Sequence, residues 1–208
     1  MIIQDVLARF NRKERYWVVQ TALGEAAKHP SRAFCKALEK AFKGADPIVP
    51  SAAWWAMDYH IDWLYAALDI FLTGRALTKD GIDLTFPVGV SSDKCVMAQQ
   101  EDIDLVVAHG RDVFLIEAKA FAAWDTRQMR SKLDRIDQLA ARIGVSSNVR
   151  LHLALLSHGK PTRLRKNVAA LEGRFTNMDL IVAPGDYFAV GRSRTPSSGW
   201  RVEWSKTM

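Results

Sequence analysis

The run Asp102-Ile103-Asp104-Leu105-Val106-Val107-Ala108-His109-Gly110-Arg111-Asp112-Val113-Phe114-Leu115-Ile116-Glu117-Ala118-Lys119 decides how this chain folds. Two apolar stretches flank a short polar break, which is the pattern of two strands joined by a tight turn. A two-residue Gly110-Arg111 loop suits a type II′ hairpin, with glycine at the first central position. Pairing His109 with Asp112 then fixes every other rung, because the turn sets the register. Asp104 falls opposite Glu117, with Cβ atoms roughly 5 Å apart. Lys119, two residues further on, points to the same face as Glu117. Facing carboxylates destabilise a bare pair, and a bound divalent cation reverses that sign. The expectation is a metal site beside a lysine amine.

Downstream, residues 125–143 read as a helix with Met129, Leu133, Ile136, Ala140 and Ile143 facing inward and Gly144 closing it. Residues 150–156 read as a buried strand, 163–172 as a helix and 179–183 as a strand. The tail from Gly191 reads as loop with a last short strand at 200–204. Upstream, residues 51–73 read as one helix capped by Ser51, with Trp54, Met57, Ile61, Leu64 and Leu68 as its apolar stripe. Asp58, Asp62 and Asp69 run beside that stripe, and Asp58 and Asp69 are expected in solvent. Residues 82–90 and 95–108 read as strands. Before them, residues 3–28 read as a helix or helical pair weakened at Gly24, and a helix capped by Ser31 runs to about Phe42. The prolines of residues 46–50 mark a linker.

The chain has 208 residues, 49% hydrophobic and 25% charged, which is the composition of a globular protein. Two cysteines, Cys35 and Cys95, make no disulfide framework, and no Cys/His cluster has zinc-ligand spacing. No apolar stretch reaches membrane-spanning length, and the start lacks the pattern of a secretory signal. A cytoplasmic protein with no membrane partner is expected. The net charge is +6, and residues 120–174 alone carry +7. Such a field attracts polyanions. Seven tryptophans, Trp54 and Trp55 adjacent, fit a core better than an interface. The five histidines make no triad or ligand pattern, and there is no phosphate-binding glycine loop.

An acid on one strand followed by Glu117-Ala118-Lys119 on the next, with a helix and a further strand behind, resembles the PD-(D/E)xK nuclease superfamily. The resemblance covers roughly residues 51–157, and no proline precedes Asp104 where the family name has one. It implies an α/β fold of restriction-endonuclease type: a mixed central sheet with an αβββαβ core flanked by helices, over residues 51–208. Residues 1–50 would be a helical extension packed on that core.

The implied activity is Mg²⁺- or Mn²⁺-dependent hydrolysis of phosphodiester bonds in nucleic acid, DNA first, in restriction, repair or defence. Asp104, Glu117, the Ala118 carbonyl and Asp62 would hold the metal, and Lys119 would orient the attacking water. Gln128, Lys132 and Arg135 on the following helix would face the nucleic acid, although a plain solvated face accounts for Arg135 better. Cutting both strands of a duplex makes a homodimer an expectation. The competing reading is a non-catalytic nucleic-acid-binding or protein-interaction module on the same scaffold.

Overall fold

The computed structural model describes residues 2–11, 13–75, 81, 101–119, 126–143, 149–157, 174–179, 187–192 and 200–205. It has an α/β architecture. Its main sheet holds β1 (Trp54–His60), β2 (Asp102–His109), β3 (Asp112–Lys119), β4 (Arg150–Ser157) and β5 (Thr176–Asp179), in that spatial order. β1, β2 and β3 form an antiparallel meander, and β4 and β5 continue it in parallel. The helices are α1 (Ile3–Phe10), α2 (Glu14–Leu23), α3 (Arg32–Ala41), α4 (Ile61–Thr73) and α5 (Thr126–Ile143). β6 (Tyr187–Arg192) and β7 (Trp200–Ser205) pair as a separate antiparallel ribbon. No helix among the described residues is long and apolar enough to cross a membrane.

The hairpin turns where the glycine requires it. Gly110 has φ 57°, and Arg111 stays out of the positive-φ region, as a II′ loop demands. The rungs from His109↔Asp112 to Leu105↔Ile116 all keep the expected register.

Alternation then sorts β3 between two cores. Val113 and Leu115 join a cluster with α1, α4 and α5, while Phe114 and Ile116 join a second cluster with Cys35 and Leu38 of α3. Helices thus cover both faces of the sheet. Ser31 caps α3 as expected, its hydroxyl accepting from the Phe34 N–H at 3.2 Å.

Three expectations change. Residues 54–60 are strand rather than the first half of a long helix, so Asp62 lies in the first turn of α4. The N-terminal helix α1 packs into the main cluster, with Ile3, Val6 and Leu7 0–2% exposed. The Tyr59 hydroxyl donates to the Leu7 carbonyl at 2.9 Å and fixes α1 against β1. Asp69 is 5% exposed and paired with Arg75, not solvated. Gly191, expected in a terminal loop, lies in β6. The expected strand at 82–90, the residues 95–100 of the next, the helix at 163–172, residues 180–183, Cys95 and Gly144 fall outside the described residues.

Candidate active site

The site lies where regular alternation fails. Ala56 and Tyr59 of β1 point into the same cluster although three residues apart, and so do Ile103 and Val106 of β2. The switch falls between the rungs Met57↔Leu105 and Tyr59↔Ile103. The residues at that interrupted rung are Asp58 and Asp104. Asp58 has φ 50°, a conformation that is strained for a non-glycine residue inside a strand. Its carboxylate pairs with Arg15 at 3.2 Å.

The same interruption redirects Asp104. The β2–β3 ladder ends at Leu105↔Ile116, so Asp104 and Glu117 are not a regular rung as the register alone implied. The Asp104 carboxylate instead accepts the Ala118 backbone N–H at 2.7 Å. A side chain thus replaces a ladder bond and anchors the carboxylate beside Glu117.

Glu117 continues the face of Val113 and Leu115 and is 3% exposed. Lys132 of α5 meets it there, donating to both carboxylate oxygens at 2.8 and 2.7 Å and to the Asp102 carbonyl at 2.6 Å. Burial pushes the Glu117 carboxyl up to about 7, Lys132 pulls it down, Asp104 adds to the rise, and Lys119 opposes it. Lys119 ends β3, half-buried, on the side that alternation assigns to Glu117.

The anticipated nucleic-acid face of α5 turns inward instead. Lys132 and Arg135 are each 4% exposed. Arg135 pairs with Asp62 and, at 3.0 Å, with Glu101. Glu101 also accepts from the Ser131 hydroxyl at 2.9 Å. The Tyr65 hydroxyl donates to the Arg135 carbonyl and ties α4 to α5. Gln128 lies in the first turn of α5, and its side chain is outside the described residues.

A further cluster borders this one. The Asp102 carboxylate pairs with Lys13 at 2.6 Å and with His60 Nδ1 at 3.1 Å, and the His60 ring packs on Trp63 at 4.4 Å between centroids. Lys13 precedes α2, so the N-terminal segment reaches the site edge directly.

Asp104, Glu117 and Lys119 are therefore brought together, whereas Asp62 is held by Arg135. No group of three or more His, Cys, Asp or Glu residues poised for a metal occurs among the described residues. Sequence reasoning missed the inward turn of Lys132, although its spacing was visible: Met129, Lys132, Leu133, Ile136 and Leu139 share one face of a 3.6-residue helix, and all are buried. Glu101, Asp102, Lys13 and His60 carried no comparable signal, because their partners come from distant segments. Comparison with known proteins finds no matching family model, no matching curated protein and no matching solved structure.

Proposed function

We propose that this chain is a metal-dependent nuclease acting on DNA, with Asp104, Glu117 and Lys119 at its centre. The observation that carries the reading is the Asp104 carboxylate anchored on the Ala118 N–H beside Glu117, with Lys119 next on that face. The meander, helix and parallel strand around it support a restriction-endonuclease-like core.

The residues fit a small divalent cation in a two-carboxylate arrangement. Mg²⁺ is commonly held by one or two carboxylates plus substrate phosphate and water. Asp104 and Glu117 would hold Mg²⁺ or Mn²⁺, with the Ala118 carbonyl as the third donor, while Asp62 contributes by fixing Arg135. A bound metal of this kind relieves charge on the phosphate and makes a water more acidic. Lys119 holds its ammonium where negative charge grows on the phosphate, and Asp104 stays oriented by the Ala118 N–H. The positive charge of residues 120–174 favours a polyanionic substrate.

The test uses supercoiled and linear DNA with Mg²⁺ or Mn²⁺. Wild type is expected to nick or cut, and Asp104→Asn and Lys119→Ala are each expected to lose about a hundredfold or more. Equal cutting by all three proteins rejects the reading.

One observation favours a second reading, a non-catalytic nucleic-acid-binding scaffold. Lys132 already neutralises both oxygens of Glu117, so the carboxylates have an internal counter-charge. DNA binding that is indifferent to metal, without cleavage, selects that alternative.

A further inference from the structure

We propose that Lys132 is the resting counter-ion of this site: it competes with a divalent cation for Glu117, and its ammonium leaves the carboxylate when the cation binds. The inference rests on the metal-dependent reading and adds to it a displaceable group inside the site. Lys132 takes both Glu117 oxygens, at 2.8 and 2.7 Å, so a metal approaching either one meets an ammonium already there. An ammonium and a divalent cation on one carboxylate repel each other. A site holding both is disfavoured, and binding becomes exchange.

The surroundings allow the exchange. Lysine carries its charge on a flexible four-carbon stem, so the ammonium can move while α5 stays packed through Met129, Leu133 and Ile136. The neighbouring cation has no such freedom, because Arg135 is held by Asp62 and Glu101 together. Asp104 needs no rearrangement, since its anchor is a backbone N–H. Among the described residues, Lys132 is thus the group that must leave both Glu117 oxygens for the carboxylate to accept a metal.

The first experiment is a Mn²⁺ titration, read by electron paramagnetic resonance, of wild type, Lys132→Gln and Lys13→Gln. Lys132→Gln is expected to bind Mn²⁺ about tenfold tighter or more, the scale of one charge-assisted hydrogen bond no longer competing. Lys13→Gln removes the same charge without touching Glu117, since Lys13 pairs with Asp102, and is expected to tighten Mn²⁺ binding clearly less than Lys132→Gln does. The second experiment needs no variant and decides alone if Lys132→Gln does not fold. Acetylation of wild-type amines is followed by mass spectrometry with and without saturating Mn²⁺. Lys132, 4% exposed at rest, is expected to become reactive when Mn²⁺ is bound. Equal Mn²⁺ affinity in wild type and Lys132→Gln, or unchanged Lys132 labelling at saturation, overturns the exchange and leaves the nuclease reading standing. Absence of Mn²⁺ binding in both wild type and Lys132→Gln removes the two together.

Discussion

At the scale of single residues, the Glu117–Lys132 pair dominates. Each partner is 3–4% exposed, so removing one leaves a buried charge without compensation. Lys132→Ala is expected to cost about 3–5 kcal/mol in urea unfolding, and Glu117→Leu combined with Lys132→Met much less. Burial of Glu117 also sets a pH dependence, which Lys132 opposes. The folded carboxyl is raised from its ordinary 4.5 to about 7, so the folded state keeps a proton that the unfolded chain releases earlier. The stability tied to Glu117 is complete below about 4.5 and is lost as pH rises through about 7. Wild type is expected to lose up to roughly 1.4 kcal/mol per pH unit across that window relative to Glu117→Gln, measured by unfolding at pH 5, 6 and 7. Strand alternation made Glu117 and Lys119 legible in the sequence, because a period of two needs no distant information. The spacing of Lys132 put it on the apolar face of α5, but the partners that let Lys132 and Arg135 be buried were not legible. A charge faces inward only when a partner waits there, and Arg135 finds Asp62 across 73 residues of chain.

Elements show the same division between local and remote information. The β2–β3 hairpin was readable because its loop dictates its register. Gly110 sits at φ 57°, and a Cβ there would meet only Asp46 Oδ2, at 3.7 Å. Gly110→Ala is therefore expected to cost about 1 kcal/mol through backbone strain alone, seen as a lower thermal midpoint with unchanged circular dichroism. β1 was misread for a definite reason. Its buried residues Ala56 and Tyr59 are three apart, the spacing of a helix, because the strand changes sidedness at Asp58. It also passes straight into α4 at His60–Ile61 with no glycine or proline between them. At the opposite end of β3, Asp112 is 1% exposed and accepts from Arg150 Nε at 2.7 Å, His152 Nε2 at 2.7 Å and the Asp46 N–H at 2.9 Å. Burial opposes its ionisation, but these hydrogen bonds outweigh it and hold the carboxyl below its ordinary range. The stability from Asp112 is present above that range and is lost as pH falls through its depressed folded value. Asp112→Asn is expected to cost about 3 kcal/mol at neutral pH, with the gap to wild type closing in strong acid.

For the whole molecule, residues 1–50 read as a helical extension packed on the core without showing which face each helix takes, because helices far from their contacts reveal only their own stripe. The structure seats α1 and α3 on opposite faces of one sheet. Removing residues 1–12 strips Ile3, Val6 and Leu7 from the core. Three buried aliphatic side chains at about 2–5 kcal/mol each rival the whole stability of a domain, so the truncated chain is expected to lose its cooperative thermal transition. The seating of α1 also has a consequence for biosynthesis. At about 5–20 residues per second, a ribosome needs roughly 5–20 s to reach β2 after making α1. Through that interval the amphipathic first helix has α4 but no completed sheet to settle on, and part of its greasy stripe stays uncovered until the hairpin emerges.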